Sequence, residues 1–509
     1  MSFLINMVVF LFVLGLVIMI HEFGHFIMAK RANILCHEFS LGMGPVLYSK
    51  RKGETLFSIR AIPFGGYVMM AGEEMEKEIV KPGDKVRIIT NNLDVVTKII
   101  LDVDNDEYEK YELITVEKID LKGNEDEMLY INDYEVIRDA FFVFKNRELQ
   151  IAPHNRSFEN KTKMQRFLSI FAGPFMNFAL AFVLFIVVGL LSGFPIMDKS
   201  TIGSTNETLP AYGQILPGDK IVEINDFPVS NWDDIKNVLD ENPTDRLIKF
   251  DILRDGEEVT VTITPVVYFY TIGIHSDEGA VNELRVGDVV KDSPSLGLLE
   301  QGDIITHVNG VSVITWFDFA NELKKDNDGS TVDITVLRDE VEVEVTIIAF
   351  SEKYVQTAGY EMVLSKVGIA PDFEFDFGKS LLGGFVGVKN SSTLIFDTIA
   401  LLFNDDSTNV SQLSGVVGIF DITSRALQNG FVSLLGWMAL LSVNLGVINL
   451  LPIPALDGGR LVFLGYEAVT RRKPNRKIEN TLHYIMYILL MGLFVYITFY
   501  DLQRLFNIK

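Results

Sequence analysis

The feature that most constrains this chain is an apolar run that ends in two histidines. Residues from Phe3 to Ile20 are almost purely apolar, and His21-Glu22-Phe23-Gly24-His25 follows at once. The run is about as long as a helix needs to cross a bilayer. On a helix, His21 and His25 lie one turn apart on one face, so both imidazoles can reach the same metal ion. Glu22 then lies beside the metal, where it can take a proton from a water molecule.

The H-E-x-x-H pattern is short and also occurs by chance, so alone it leaves a metal site and an ordinary helix about equally open. The apolar context favours the metal site, because ionisable groups in a membrane span are costly and functional by default. The run lacks a basic leader and a small-residue cleavage site, which predicts a retained span rather than a signal peptide. A third metal ligand is then expected on another apolar segment.

The composition supports a membrane protein and excludes other classes. Of the 509 residues, 48% are hydrophobic and 22% are charged. The net charge of -23 argues against a nucleic-acid partner, because a phosphate backbone needs a basic surface. The single cysteine, Cys36, excludes an internal disulfide and a C-x-x-C zinc or redox site. The remaining histidines are interpreted as ordinary surface or core residues: His37, His154, His275, His307 and His483.

Four apolar stretches predict a polytopic α-helical membrane protein with four transmembrane helices. The stretches give spans at residues 1–30, 167–194, 431–460 and 482–503. Basic residues flank them, including Lys30, Arg31 and Arg471, and such residues mark the cytoplasmic side of a span. The sequence therefore predicts a chain that starts and ends outside the cytoplasm.

Two non-helical regions follow the first span. Residues 50–72 alternate like strands and then become rich in glycine, which predicts a β-loop associated with the membrane. Residues 73–156 predict an acidic, β-rich cytoplasmic insert whose sequence does not indicate a role. Its first acidic cluster, interpreted as a solvated face, consists of Glu73, Glu74, Glu76 and Glu78. Farther along the chain, residues 368–428 predict an amphipathic segment next to the membrane.

An internal repeat with a constant offset occupies the region between the second and third spans. Positions that recur 84 residues later include Gly218-Asp219, Asn225, Trp232 and Arg254, which match Gly302-Asp303, Asn309, Trp316 and Arg338. Each copy is a strand, a Gly-Asp turn, a strand, a helix and further strands, which resembles a PDZ domain. We predict two tandem PDZ domains, at residues 200–266 and 267–350. Peptide binding by strand addition and simple blocking of access to the membrane site remain equally open.

The third ligand is expected where the third apolar stretch breaks. That stretch ends in Pro452-Ile453-Pro454-Ala455-Leu456-Asp457-Gly458-Gly459. An aspartate before two glycines is common in turns. Beside an intramembrane H-E-x-x-H motif, however, Asp457 would complete a zinc site of two histidines and one carboxylate, with an open position for water. Asn177, in the second span, has two open interpretations: it lines a site, or it bonds to another helix.

These motifs together resemble the site-2 protease family of intramembrane zinc metalloproteases, peptidase family M50, in its bacterial branch. The segments that carry the resemblance are 21–25, 63–68, 172–178 and 444–459. Two features depart from the family pattern. The insert at 73–156 lies outside its core, and Gly415-Val416 stands where Gly-Pro is usual.

The resemblance implies a zinc metalloendopeptidase. Zinc would be held by His21, His25 and Asp457. Glu22 would act as general base and then as acid, and Asn444 would donate a hydrogen bond to the substrate or oxyanion. The implied location is the bacterial cell (inner) membrane, with the PDZ pair outside and the active site near the cytoplasmic side.

The implied partners are the lipid bilayer and a membrane protein with a single span that another protease has already trimmed. Anti-sigma factors and signal-peptide remnants, the substrates of regulated intramembrane proteolysis, are examples in the family. Two alternatives are weighed against this. One is a non-proteolytic scaffold that binds partners through its PDZ pair, and the intact Glu22 and metal ligands argue against it. The other is a metal transporter, which would need further ionisable groups along its pathway in other spans, and the second and fourth spans offer essentially none.

Overall fold

The computed structural model describes residues 3–73, 79–123, 128–145, 147–241, 247–277, 283–291, 293–325, 329–357, 360–404 and 414–506. Contacts divide the chain into two compact units. The first comprises Met1–Leu184 and Phe420–Leu493, and the second comprises Phe185–Ile419 and Phe494–Lys509. The predicted acidic residues Glu74, Glu76 and Glu78 lie outside the described residues.

Ten α-helices form within the described residues. They are α1 (Phe3–Arg31), α2 (Lys163–Ser192), α3 (Trp232–Glu241), α4 (Trp316–Lys325), α5 (Glu352–Thr357), α6 (Phe377–Asn404), α7 (Val416–Gln428), α8 (Phe431–Leu450), α9 (Asp457–Thr470) and α10 (Arg476–Phe506). Helices α1, α2, α8 and α10 are long and apolar enough to cross a membrane, which confirms the four predicted apolar helices. Large apolar side chains on them stay exposed, as Phe12 does at 65%, and this suits a lipid environment.

A long β-hairpin follows α1, formed by β1 (Cys36–Lys52) and β2 (Thr55–Met70). The first half of β1 pairs with both halves of β2, so that Phe39 stands opposite Phe57 on one side and Val68 on the other. The C-terminal part of β2, residues 66–70, therefore has one edge paired with β1. No other strand among the described residues pairs with its second edge.

The region after β2 is a seven-stranded sheet with its own apolar core. Its strands are β3 (Lys85–Thr90), β4 (Val96–Ile100), β5 (Glu112–Thr115), β6 (Ile119–Asp120), β7 (Leu129–Ile131), β8 (Tyr134–Phe144) and β9 (Arg147–Gln150). The strand order is β5-β3-β4-β8-β7-β6, and β9 pairs with β8. Val86, Ile99 and Ile131 are fully buried between the strands, so the acidic composition lies over an ordinary hydrophobic core.

The second unit contains the strands β10 to β25. They are β10 (Phe194–Pro195), β11 (Ile202–Thr205), β12 (Lys220–Ile224), β13 (Phe227–Pro228), β14 (Ile248–Arg254), β15 (Glu257–Ile263), β16 (Val266–Phe269), β17 (Ile274–Ser276), β18 (Val286–Val289), β19 (Ile304–Val308), β20 (Val311–Ser312), β21 (Thr331–Arg338), β22 (Val341–Ile348), β23 (Val363–Lys366), β24 (Ile369–Pro371) and β25 (Phe373–Glu374). The sheet β13-β12-β14-β15 and the sheet β20-β19-β21-β22 have the same order.

The sequence repeat coincides with this structural repetition. Arg254 pairs with buried Asp219 at 2.7 Å, and Arg338 pairs with buried Asp303 at the same distance. Each pair joins the Gly-Asp turn to the end of a central strand, which explains why both residues recur at the same offset. The assignment of these modules as PDZ domains stays a prediction.

Candidate active site

The side chains predicted to bind metal meet in the first unit. His21 and His25 lie on α1, and Asp457 is the first residue of α9. Asp457 Oδ2 lies 3.2 Å from His21 Nε2 and 3.3 Å from His25 Nε2, and the two imidazole nitrogens are 3.2 Å apart. Both histidines are buried and Asp457 is half-buried. The three atoms form a nearly equilateral triangle.

This triangle fits a zinc ion. Ligands about 2.0–2.1 Å from a tetrahedral zinc stand about 3.3 Å from one another. Asp457 Oδ2 is buried and accepts no hydrogen bond from the described residues, and a buried anion without such bonds needs a cation. Three protein ligands also leave the fourth tetrahedral position open, which is the arrangement of catalytic rather than structural zinc sites.

Close backbone contact between α1 and α2 orients His25. Its Nδ1 lies 2.8 Å from the backbone carbonyl of Ser169, so Nδ1 carries the proton and Nε2 is left free for a metal. A Cβ on Gly173 would overlap the His25 ring, and a Cβ on Gly24 would overlap the backbone of Ala172. Glycine at both positions lets the helices approach closely enough for this hydrogen bond.

Asn177 on α2 contacts His21. Its side-chain nitrogen lies 3.4 Å from His21 Nδ1, and its side-chain oxygen is buried without a hydrogen-bond partner among the described residues. Exchanging the two ends of the amide gives the better assignment, because the oxygen then accepts the Nδ1 proton and Nε2 faces the metal position. Of the two interpretations of Asn177, the structure favours the one in which it serves the site. Ser442 on α8 fixes the same residue by donating to its backbone carbonyl at 2.9 Å.

A tight turn between α8 and α9 presents Asp457. Added Cβ atoms on Gly458 and Gly459 would overlap the carbonyls of Leu451 and Ile453, so only glycine fits after the aspartate. Ala455, two residues before Asp457, has a φ of 85°, which is strained for a residue with a side chain.

The strained turn is tied to the last long helix. The Ala455 backbone N–H donates to His483 Nδ1 on α10 at 2.8 Å. The His483 ring also lies 5.8 Å from that of Phe463 on α9. His483, interpreted from the sequence as an ordinary residue, therefore contacts the turn that carries a predicted ligand.

The metal group opens into a cavity of about 570 Å³. Its lining includes His21, Glu22, His25, His37, residues 66–70, Leu149, Asn449, Asp457 and Arg460. Glu22 is next to the open strand edge, since a Cβ on Gly66 would come 3.0 Å from Glu22 Cγ. Asn444 does not line this cavity, although its side-chain oxygen is buried without a hydrogen-bond partner among the described residues.

Two cavity residues on the hairpin are neutral near pH 7. Burial, together with the nearby cations Arg51 and Arg156, lowers the pKa of His37 to about 4. Burial, together with a hydrogen bond to Glu38, raises the pKa of Tyr67 to about 12. The cavity wall therefore offers polar but uncharged groups on this side.

The comparisons with known proteins agree with this geometry. The model of peptidase family M50 matches residues 9–493. A Staphylococcus aureus (strain N315) protein is 33% identical over 99% of this chain and 100% of its own. The zinc metalloprotease RasP of Oceanobacillus iheyensis (strain HTE831) is 31% identical over 98% of this chain and 99% of its own. RasP of Geobacillus kaustophilus (strain HTA426) is 32% identical over 98% of each chain.

The chain belongs to peptidase family M50 and is a zinc metalloprotease of that family. The predictions of family, enzyme class and zinc are thereby confirmed. Protein substrates and a membrane setting follow from the family and the four apolar helices. No pattern in the sequence indicates a role in the site for His483 or Leu149. The polar position of Asn177 in an apolar span was the only indication for that residue.

Proposed function

We propose that this protease hydrolyses peptide bonds inside membrane-spanning segments of proteins that another protease has already trimmed. The observation that carries this proposal is the position of the metal group on α1. His21 and His25 are part of a single helix that is long and apolar enough to span a bilayer. The peptide bond that is hydrolysed must therefore lie at the depth of a membrane-spanning helix to reach the two histidines.

In this proposal His21, His25 and Asp457 hold the zinc ion. Bound zinc supplies Lewis-acid polarisation of a carbonyl and lowers the pKa of water. Glu22 takes the proton of the attacking water and passes it to the leaving amine, which requires it to lie beside the ligands, as it does on the cavity wall. Asn444 would need a side-chain rotation to donate to the substrate, since it does not line the cavity.

The open edge of β2 supports binding of the substrate as an extended strand. Residues 66–70 leave one edge unpaired by any described strand, and Gly66 packs against Glu22. An added strand would be held by backbone hydrogen bonds that are independent of its side chains. A helical segment must unwind to bind in this way, which favours trimmed and locally unstable spans.

The remaining parts of the proposal concern location and access. Basic residues after α1 and α9 favour a cytoplasmic position for the active-site side of the chain in the cell membrane. The two repeated modules, as PDZ domains outside the cytoplasm, would admit only substrates that have lost their outer domain. The scaffold hypothesis is kept as an outcome of the test.

The test is cleavage of a membrane-embedded helix by the purified chain and by the Glu22→Gln variant. We expect the wild type to cut and the variant to lose about 10²- to 10⁴-fold in rate, with about one zinc per chain in both. A wild type that binds zinc but cuts none of several trimmed helices would contradict the proposal and favour the scaffold hypothesis.

A further inference from the structure

The seven-stranded insert is fixed beside the catalytic helix by its two ends. Leu35, just before β1, donates its backbone N–H to Arg156 at 3.0 Å and accepts the N–H of Ala71 at 2.9 Å. Phe158 in turn donates to the Ala71 carbonyl at 2.7 Å. These bonds join the residues that precede the insert to those that follow it, so the insert is not a domain on a loose tether.

Charge and close packing strengthen the same junction. Glu54, in the turn between β1 and β2, pairs with Lys30 at the end of α1 and with Arg156 at 2.7 Å. Gly72 lies against Ser157 so closely that an added Cβ would overlap its hydroxyl. The helix of the H-E-x-x-H motif, the hairpin and the insert thus share one partly buried network.

A second attachment fixes the edge of the insert against the hairpin. Arg51 of β1 donates from Nη2 to the Glu148 backbone carbonyl of β9 at 3.1 Å. The same guanidinium lies 5.4 Å from the ring centroid of Phe141 on β8, a cation–π distance. Lys98 holds the Glu148 carboxylate at 2.5 Å. Two cations therefore hold strand β9 in place, because Arg51 binds the backbone of Glu148 and Lys98 binds its side chain.

This attachment brings Leu149 into the catalytic cavity. Leu149 is half-buried, packs against the insert's own core and lines the cavity that contains Glu22 and Asp457. Gln150 next to it is buried, so β9 is not a freely exposed edge here. Residues 66–70, with their open edge, line the same cavity.

We propose that Leu149 is a specificity-determining residue, and that the insert supplies this wall of the substrate cavity. The proposal rests on the function proposed above. In an extended apolar segment paired with residues 66–70, successive side chains point to opposite faces of the strand. A side chain on one of these faces would contact Leu149. The size of the Leu149 side chain then limits which substrate side chain fits beside the scissile bond.

A photo-crosslinking experiment tests the contact without requiring turnover. A photoreactive phenylalanine analogue is placed at Leu149 in the Glu22→Gln variant, in detergent or vesicles containing a membrane-embedded test helix. Leu113 is the matched control position, because it is on the same insert, is 47% exposed and does not line the cavity. We expect crosslinks from position 149 and none from position 113. Absence of crosslinks from position 149, or equal yields from both positions, would overturn the proposal.

A cleavage series tests the size limit. Test helices that differ only in one side chain near the cut, from alanine to phenylalanine, are given to the wild type, Leu149→Ala, Leu149→Trp and Leu113→Ala. The measured quantity is kcat/KM for the helix with phenylalanine near the cut, divided by kcat/KM for the helix with alanine there. We expect Leu149→Ala to raise this quotient about tenfold or more, and Leu149→Trp to lower it. Zinc content should not change. Equal ratios in all four proteins would refute the role of Leu149, whereas failure of the wild type to cut any helix would refute the proposed function instead.

Discussion

Among the described residues, two clusters each bring three metal-type ligands together, and the surroundings of the two clusters differ. In each cluster one ligand atom per residue lies within 4.8 Å of the others. His21 and His25 of the first cluster are buried, and hydrogen-bond partners on α2 orient their rings. In the second cluster, Glu223, Asp226 and Asp251, the side chain of Asp226 is 84% exposed.

The second cluster already contains a cation. Lys249 Nζ lies 2.9 Å from Asp251 Oδ2 and 3.2 Å from Asp226 Oδ1. The hydrogen bond to Asp251 raises the pKa of Lys249, and the same bond lowers the pKa of Asp251. By contrast, Asp457 Oδ2 faces the Nε2 atoms of His21 and His25 at 3.2 and 3.3 Å, and both imidazoles are neutral when Nδ1 carries the single ring proton. Proximity of ligands is thus insufficient, and a metal site also needs burial, oriented rings and no competing ammonium group.

Replacement of the Asp457 carboxylate should reduce zinc binding most strongly, and should thereby remove the difference between the two clusters. Asp457→Asn keeps the side-chain volume but replaces the anionic ligand oxygen by an amide, so zinc affinity should fall by more than the roughly 10–100-fold typical of outer-shell changes. The check is zinc content after purification, with Glu22→Gln as the control that keeps its zinc. A variant that retains one zinc per chain would show that Asp457 is not a ligand.

The next largest effect is expected from Asn177→Leu, which removes the group that orients His21. We expect zinc affinity to fall about 10–100-fold, measured by competition with a chelator. Asn444→Leu is the matched control, because it also removes an asparagine from an apolar helix, and the Asn444 side-chain oxygen has no hydrogen-bond partner among the described residues. It should leave zinc affinity unchanged. Equal zinc affinities in the two variants would argue against an orienting role for Asn177.

His483→Leu should have a smaller effect, because it acts on Asp457 only through the turn. Loss of one hydrogen-bond acceptor is worth about 0.5–1.5 kcal/mol, which corresponds to a loss of about two- to tenfold in zinc affinity. Ala455→Gly removes the backbone strain. The double variant that combines it with His483→Leu should therefore recover part of the lost zinc affinity. His483→Asn can still accept a hydrogen bond from the Ala455 N–H, so its zinc affinity should lie between those of the wild type and of His483→Leu. No recovery in the double variant would mean that His483 does not stabilise the strained turn.

These variants also separate what the sequence could predict from what it could not. His21 and His25 follow from a four-residue spacing on one helix, and Asp457 follows from a break at the end of an apolar run. Both are local patterns. The roles of Asn177 and His483 depend on the register of one helix against another, which packing sets across many residues. Gly24 and Gly173 fix that register for α1 and α2, but nothing in either segment alone identifies its partner.

The insert shows the same limit on a larger scale. Its short β-type runs between acidic clusters predicted a β-rich domain, and the structure has seven strands there among the described residues. Its position beside the cavity of the metal group depends on contacts between residues far apart in the sequence, such as those of Arg51 with Glu148 and of Arg156 with Glu54. In a sequence these arginines resemble any other basic residue near a membrane span, so the contribution of Leu149 to the cavity could not be predicted.

The smallest effect is expected from a change at the second cluster, Glu223, Asp226 and Asp251, which is called the exposed cluster below because of Asp226. Lys249→Gln removes the ammonium group between Asp226 and Asp251, and surface pairs of this kind contribute about 0–1 kcal/mol to the free energy of unfolding. If the absence of a competing cation were sufficient to create a metal site, this variant would bind a second zinc. We expect the zinc content to stay at about one per chain, because the side chain of Asp226 is 84% exposed and would have to be ordered before it could bind a metal ion. Asp457→Asn combined with Lys249→Gln sharpens the measurement, since any zinc that remains must be at the exposed cluster. A stoichiometric zinc in that double variant would show that oriented, buried ligands are not what distinguishes the two clusters.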